Sequence, residues 1–280
     1  MKTKKITVLF LAVLVLFVFS FSGCDLFNRD PKPSPPSPEA QTMEIAVFYL
    51  KDKDNNMYLV REVHTVPKSE GVAMVALNEL ISGTPLTEGA FKVLPADTKI
   101  LGISIKDGLA TVDFSQEVLN ANVGAYAEVL GIASIVNTLT EFPTIQKVQF
   151  TVEGSAEKAA YWWGHVGLEG QLLVRDLSDV QEPLIWVTAP TTNQKLASSF
   201  TLKGTAIAFE AVVNYRLTDS TGAVLAEGHT MTTAGAPERG DFAVTITFTP
   251  SSAGSGQLKV FEVSMKDGSE INAVTIPVTW

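Results

Sequence analysis

Residues 81–114, ISGTPLTEGAFKVLPADTKILGISIKDGLATVDF, decide the fold of the first half of this chain. Asp107-Gly108 is a two-residue turn sequence that tolerates positive φ at both positions, and apolar, β-prone runs lie on either side of it. Pairing Lys106 with Leu109 sets the register of a hairpin. That register pairs Ile105 with Ala110, Ser104 with Thr111, Ile103 with Val112, Gly102 with Asp113 and Leu101 with Phe114. One face of this hairpin is apolar, so it needs a cover.

The segments on either side of the hairpin have helical periodicity and can supply that cover. Ser69 is placed to cap a first helix that stops at Gly83-Thr84-Pro85, and Ser115 is placed to cap a short helical turn. A longer helix is predicted after Asn122-Val123-Gly124. The expected buried stripes are Ala73, Met74, Leu77, Leu80 and Ile81 on the first helix, and Val129, Ile132, Ala133, Val136 and Leu139 on the second.

Strands are predicted at residues 43–50, 57–66 and 146–153, which gives the order β-β-α-β-β-α-β. The sequence therefore predicts an α+β N-terminal domain, a small sheet covered by two helices. Asp52, Asp54 and Asn56 lie between the first two strands and match the start of a calcium loop. Met57 and Val63 occupy the positions that need glycine and glutamate, so a hydrophilic turn is favoured and no metal site is expected.

This ordered set of motifs resembles the GerMN domain of bacterial sporulation and germination proteins. The set comprises ISGTP, Leu94 to Thr98, the hairpin ending at Ser115, Asn137 to Pro143, and Val148 to Gly154, and the resemblance spans about residues 43 to 154. The chain has Gly83-Thr84-Pro85 where family members often have Gly-Pro. The resemblance implies a role in sporulation or spore germination.

Helical periodicity disappears after Pro183, and turn signals recur about every ten residues. Strands are expected at residues 184–189, 198–205, 210–219, 223–232, 241–249, 257–266 and 270–280. Val244, Ile246 and Phe248 alternate with threonines, as one buried face requires. The pattern predicts an all-β, immunoglobulin-like sandwich over residues 181–280, held together without a disulfide.

This second half resembles the Gmad2 domain, an immunoglobulin-like module found with GerMN in lipoproteins of spore-forming bacteria. The matching motifs are Val187 to Pro190, Leu202 to Ala206, Phe209 to Ala211, Arg216 to Gly222 and Phe261 to Ser269. Residues 43–180 are thus interpreted as a GerMN-like domain with a C-terminal extension, and residues 181–280 as a Gmad2-like domain. We expect each to fold independently.

Residues 1–24 have the pattern of a lipoprotein signal peptide. Three lysines precede an uncharged apolar run, and Ser22-Gly23-Cys24 follows it. This ending resembles a bacterial lipobox, which implies cleavage before Cys24 and lipid attachment to its thiol. A plain secretion signal or an uncleaved anchor is the alternative. Residues 25–42 are proline-rich and are interpreted as an extended tether.

Tyr161, Trp162, Trp163 and His165 form an aromatic segment between the two predicted domains. Such a segment is a possible binding surface for a partner or a sugar, because Trp and Tyr offer large contact area at low entropic cost. The alternative is that Trp162 and Trp163 fill the end of the first domain's core or the seam between the domains.

Composition and motifs argue against catalysis and nucleic-acid binding. The formal net charge is -9, and the chain has one cysteine and three histidines, His64, His165 and His229, in separate segments. These histidines are interpreted as surface or seam residues, and Glu210 and Asp267 as turn and strand-end residues.

We expect a non-enzymatic protein without cofactors, anchored outside the cytoplasm to the cell membrane through lipid on Cys24. Its expected partners are other envelope or spore-assembly proteins or the cell wall, and a solute- or glycan-binding lipoprotein is the alternative.

Overall fold

The structure is a computed structural model that describes residues 41–250 and 252–280. Cys24 and the predicted signal segment, and all but the last two residues of the predicted tether, lie outside the described residues. The elements of the first half are β1 (Thr42–Lys53), β2 (Asn56–Pro67), α1 (Val72–Ser82), β3 (Ala90–Phe91), β4 (Ile100–Lys106), β5 (Leu109–Phe114), a 3-10 turn (Gln116–Asn120), α2 (Ala125–Leu139), β6 (Lys147–Val152), α3 (Ala156–Ala159), β7 (Leu173–Val174) and β8 (Val180–Glu182).

The first half is an α+β domain with the predicted order of its main elements, but its strands form two sheets where one small sheet was expected. The first sheet has the order β3-β1-β2-β8, and the second has the order β4-β5-β6-β7. β1 and β2 pair along their whole length, and they join at Asp54 and Asn55, which both have positive φ. The segment from Asp52 to Asn56, which matches the start of a calcium loop in sequence, is therefore a tight hairpin turn.

The hairpin of β4 and β5 has the predicted register from Lys106–Leu109 back to Gly102–Asp113. Asp107 and Gly108 have φ of 50° and 80°, as the turn requires. The last predicted pair is wrong, because Phe114 pairs with Ile100 and the register shifts at Leu101. The extra residue is a β-bulge that turns Leu101 outward, where it is exposed.

α1 ends as predicted, since Gly83 caps it and donates its N–H to the Glu79 carbonyl at 2.7 Å. Its start differs from the prediction. The helix begins at Val72, and the Ser69 hydroxyl accepts the Gly71 N–H at 3.3 Å instead of capping a helical N–H. Met74 is only half-buried, and Ala76 takes its place in the buried face.

α2 follows Gly124 as predicted, but its burial is not confined to the predicted stripe. Val129 is exposed, whereas Leu130 and Ile135 are fully buried. The reason is that α2 contacts α1 and strands of both sheets, so several of its faces are covered. Thr138 on this helix accepts the Phe48 N–H at 3.2 Å, which satisfies the backbone of β1 on the side away from β2.

The second half is the predicted all-β sandwich, and each predicted strand is present within a few residues of its expected bounds. The elements are β9 (Ile185–Ala189), β10 (Gln194–Lys195), β11 (Ser199–Ala206), a 3-10 turn (Phe209–Ala211), β12 (Val212–Asp219), β13 (Val224–Met231), β14 (Gly240–Thr247), β15 (Ser255–Val263) and β16 (Glu270–Thr279). The sheets have the orders β14-β11-β9 and β10-β16-β15-β12-β13. Phe242, Ile246 and Phe248 are buried in the core between them.

Candidate functional site

The two halves meet along the segment from Arg175 to Pro183, which is bonded onto the first half. Asn137, fully buried on α2, donates to the Asp176 carbonyl at 2.6 Å and accepts the Asp176 N–H at 3.1 Å. Further along, the Leu59 N–H donates to the Asp179 carbonyl at 2.8 Å, and β8 then pairs in parallel with β2. This segment is therefore part of the first domain up to Glu182.

Glu182 fixes the end of this segment through its carboxylate. Lys51 Nζ donates to its two oxygens at 2.9 and 3.1 Å, and the Tyr58 hydroxyl donates at 2.7 Å. Burial alone raises the pKa of Glu182, but the hydrogen bonds from Lys51 and Tyr58 hold it below its ordinary value. Burial and the bond to this carboxylate also raise the pKa of Tyr58 to about 12. The carboxylate is therefore ionised at neutral pH, and it holds the chain where the second domain begins.

Trp186, the second residue of β9, inserts into the first domain. It is buried in an apolar cluster with Phe48, Leu50, Leu59, Ala127, Leu130 and Val180. Its ring meets the Phe48 ring edge-on, with 6.2 Å between centroids. Because a Trp side chain buries a large apolar area, this contact fastens the second domain to the first.

Two arginines and one glutamate cover Trp186. The Arg61 guanidinium lies 3.9 Å from the indole centroid, and that of Arg175 lies 5.4 Å from it. Glu141 accepts from both arginines, from Arg61 at 2.7 Å. Burial lowers the pKa of Arg61 even though Glu141 opposes the effect. Arg61 Nε is buried and has no acceptor among the described residues.

Arg239 makes the reciprocal connection from the second domain. It donates to the Val180 carbonyl at 3.0 Å, the Pro183 carbonyl at 2.7 Å and the Thr205 hydroxyl at 3.1 Å. Burial lowers its pKa to about 10, so it remains charged at neutral pH. Trp186 and Arg239 together fix the connection between the domains by apolar and polar contacts.

A groove of about 1400 Å³ opens beside this junction and is lined by both domains. Its first-domain wall includes Ala46, Val63 and Phe142, and its floor is Arg61, Arg175 and Trp186. The opposite wall comes from Val187 and Thr188 of β9, with further residues of the sandwich. This groove is the candidate functional site, and the sequence did not indicate it because its walls come from segments far apart in the chain.

The aromatic segment that the sequence offered as a binding surface is largely core. Trp162 and Trp163 are only 4% and 8% exposed, and Trp162 packs on Phe114 and Phe150 at 5.6 and 4.8 Å between centroids. Trp163 Nε1 donates to the Val118 carbonyl at 2.7 Å. The two tryptophans therefore do not belong to a surface, and they complete the first domain's core. The Tyr161 side chain is 77% exposed.

His165 is exposed and lies beside a buried carboxylate that sequence reasoning missed. Glu128 on α2 is fully buried, and it accepts the N–H groups of Trp163, His165 and Val166 at 3.2, 2.9 and 3.0 Å. The His165 ring nitrogen Nδ1 lies 2.7 Å from the same carboxylate. Glu128 thus holds the aromatic segment against the core.

His64, interpreted from sequence as a surface or seam residue, is instead buried between two carboxylates. Its Nε2 lies 2.8 Å from Glu62 and its Nδ1 2.8 Å from Glu79. Glu62 also accepts the N–H groups of Leu86 and Thr87, each at 2.7 Å. Burial alone raises the pKa of Glu62, but these hydrogen bonds hold it below its ordinary value. The cluster fastens the loop after α1.

The remaining residues that the sequence offered as candidate catalytic groups, His229, Glu210 and Asp267, lie apart from the groove. His229 is exposed on β13, and Glu210 is exposed in the short turn before β12. Asp267 accepts from Ser269 within its own turn. Among the described residues, no three His, Cys, Asp or Glu side chains form a group that could hold a metal ion. The described helices are also too short or too polar to cross a membrane.

Comparison with known proteins matches each half to a family. Residues 46–158 match the Germane family, described as "Sporulation and spore germination". Residues 184–269 match Gmad2, described as "Immunoglobulin-like domain of bacterial spore germination". Both resemblances expected from the sequence motifs are confirmed.

Individual relatives cover one part of the chain. The spore germination protein GerM of Bacillus subtilis (strain 168) is 37% identical over 120 residues, which are 41% of this chain and 32% of the relative. The chain thus spans about a third of the length of that curated relative.

Similar solved structures include the tandem GerMN domains of B. subtilis GerM, with 22% identity, a TM-score of 0.42, and 54% of this chain and 51% of that chain covered. The first GerMN domain of the same protein has 36% identity, a TM-score of 0.35 and coverage of 40% and 84%. The chain is therefore similar to GerM-like proteins of sporulation and spore germination, with a region that matches Germane followed by a region that matches the Gmad2 immunoglobulin-like domain.

Proposed function

We propose that this protein is a non-catalytic, lipid-anchored envelope protein whose two domains bind a partner as one unit during sporulation or spore germination. The description of the Germane family names both processes, that of Gmad2 names spore germination, and neither names a reaction. The partner is another envelope or spore-assembly protein or the cell wall. A net charge of -9 disfavours nucleic acid as a partner.

One observation carries the proposal of joint action. Trp186 of the second domain is buried in the first, under Arg61 and Arg175, at the floor of a groove that both domains line. Interfaces between the domains of one chain are usually small and polar, so the domains move relative to each other. A tryptophan of one domain that is buried in the other opposes such movement, and a simple tether would not provide this contact. A shared surface is what a binding protein needs, and fold alone does not assign a reaction to it.

Anchoring outside the cytoplasm rests on the sequence. Ser22-Gly23-Cys24 follows an apolar run, and the chain has no other cysteine. A membrane-bound lipoprotein would carry more than one acyl chain, which is what stable anchoring requires. The proline-rich residues 25–42 would then separate the folded domains from the bilayer.

Replacement of Cys24 in the native host tests this function and its location. We expect deletion of the gene to reduce the yield of heat-resistant spores or the rate of germination. Re-introduction of the wild-type gene should restore it, whereas Cys24→Ala should leave the protein without lipid and at altered mass. Ser22→Ala, which keeps a small residue before the cysteine, is the matched control and should behave as wild type.

Different results would contradict the lipid anchor and the biological role. A Cys24→Ala protein that stays at the membrane with unchanged mass contradicts the lipid anchor. A deletion strain with normal spore yield and normal germination contradicts the proposed role, whatever its membrane location.

A further inference from the structure

Among the described residues, β2 has an edge that no strand pairs with beyond Val60, and this edge borders the groove at Arg61 and Val63. β8 pairs with β2 only at Leu59 and Val60, but β2 continues to Pro67. The Leu59 N–H points to Asp179 and therefore away from β1. Because backbone groups alternate in direction along a strand, those of Val63 and Thr65 also point away from β1.

Nothing in the described part of the chain fills that edge. No described strand pairs with β2 beyond Val60 on this side, and neither the Val63 nor the Thr65 N–H has a described acceptor. Val63 is 44% exposed, and Thr65 is also exposed. Their donors and acceptors are open to a second chain.

The edge also lacks the usual protection against pairing. Proteins block free edges with lysine, proline or bulges, and between Arg61 and Val66 β2 has none of these. β4, the edge strand of the other sheet, differs in this respect. It carries a bulge at Leu101 and ends in Lys106. β2 itself ends in Pro67, so the unprotected part of its edge is limited to residues 61–66, and this part has the character of a pairing edge.

The opposite wall of the groove offers a second strand edge. β9 ends its sheet, and the Ile207 N–H donates to the Leu184 carbonyl, so that backbone groups of Val187 point away from β11. The groove, at about 1400 Å³, exceeds the roughly 300 to 1,000 Å³ typical of small-molecule pockets. Its size and its two strand edges fit a polymer in extended conformation.

We propose that an extended polypeptide segment of a partner protein binds this groove by adding a strand to β2, in parallel continuation of β8. Main-chain bonds to Val63 and Thr65 supply the pairing, and alternate side chains of the segment lie on the apolar wall at Ala46 and Val63. Continuity with β8, which already occupies this edge for two residues, argues for a polypeptide. A glycan has no regular ladder of N–H and C=O groups to match the edge. The inference rests on the proposed function as a binding protein and specifies its site.

The test uses the full-length chain and short random peptides displayed on phage as the probe. Peptides selected on the wild-type protein are labelled, and their affinity is measured by fluorescence anisotropy. Val63→Pro removes the outward N–H without removing a bond to β1, and should weaken binding at least about tenfold. Val63→Lys keeps the N–H but places a charge on the apolar wall, and should weaken binding similarly.

Two controls separate edge pairing from general damage. Val63→Thr keeps the β-branched shape and the N–H, and Ile105→Pro places proline on the edge of β4, far from the groove. Both should bind as wild type. Hydrogen exchange at residues 61–66 should slow when peptide is bound.

The proposal is overturned if the selected peptides bind Val63→Pro and Val63→Lys as tightly as wild type, or if exchange at residues 61–66 does not change. It is also overturned if soluble peptidoglycan strands bind in the groove and displace the peptides, or if the free protein forms a dimer that Val63→Lys dissociates. A normal spore phenotype on gene deletion, by contrast, contradicts the proposed function but leaves peptide binding at β2 measurable.

Discussion

Glu62 and Glu128 are buried carboxylates at positions where local sequence gives no sign of burial. Glu128 stands in the first turns of α2, where an acidic residue is normally solvated and favourable to the helix dipole. Each is satisfied by backbone N–H groups of a segment more than twenty residues away, Leu86 and Thr87 for Glu62, and residues 163 to 166 for Glu128. A buried charge is tolerated only with such partners, so both residues act as fasteners.

Glu62 should make stability depend on acid pH. Its folded pKa lies below the ordinary value of 4.5, so its stabilising effect is complete above that value and is lost as the pH falls through the lower folded pKa. Glu62→Gln has one carbonyl oxygen for two backbone donors, so it should cost about 1 to 3 kcal/mol at pH 7. Urea unfolding from neutral to acid pH measures both effects.

The control for this experiment is Glu88→Gln, an exposed residue in the same loop. It should leave the pH profile unchanged. If Glu62→Gln follows the wild-type profile into the acid range, Glu62 does not hold the loop through its charge.

The β4–β5 hairpin allows a test of register at neighbouring positions. Ile103 lies against the first domain's core but is only half-buried, so Ile103→Ala should cost about 1 to 3 kcal/mol. Ser104 is exposed, so Ser104→Ala should lower the free energy of unfolding by less than about 0.5 kcal/mol. Urea unfolding of the full-length chain compares the two, and equal costs would contradict the register.

At the scale of elements, α2 organises the first domain because both sheets pack on it. A helix covered on one side would show one apolar stripe, but α2 also buries Glu128, Ser134, Asn137 and Thr138. Three of these polar side chains bind neighbouring backbone: Glu128 the aromatic segment, Asn137 the segment before β8, and Thr138 strand β1. A single apolar stripe does not identify such a helix, because part of its buried surface is polar and is bonded to distant backbone.

Glu128→Ala should loosen the aromatic segment. It removes the acceptor of three N–H groups, of which that of Trp163 is buried, and we expect a loss of about 1 to 3 kcal/mol in the free energy of unfolding. Limited proteolysis should then cut between residues 160 and 170. Val129→Ala, on the same helix but exposed, is the matched control. Proteolysis of Glu128→Ala at the wild-type rate would contradict the fastening role.

At the scale of the whole molecule, the junction decides whether two domains behave as one. Residues 41–280 form a single compact unit. The predicted boundary after residue 180 falls within β8, which pairs with the first sheet through Glu182. Independent folding of the two halves stays a prediction, and fragments cut at Pro183 keep β8 with its sheet.

Trp186→Ala in the full-length chain should cost about 3 to 5 kcal/mol, because it empties a buried site between the domains. It should also divide one unfolding transition into two, as each half then unfolds by itself. Calorimetry measures both. The control is Trp280→Ala, which removes an aromatic contact with Phe248 inside the second domain and should leave the domains coupled. A single transition in Trp186→Ala would contradict the coupling.

The sequence by itself determined the two-domain order, the α+β and sandwich classes, the seven main strands of the second half and nearly all of the organising hairpin's register. These follow from local rules: turn residues, strand alternation and chain spacing act within about ten residues. Only the tertiary structure decided the division into two sheets, the burial of Trp162 and Trp163, the buried glutamates and the groove. Each of these depends on contacts between segments far apart in the chain, and a polar residue's burial depends on a distant partner that local sequence does not name.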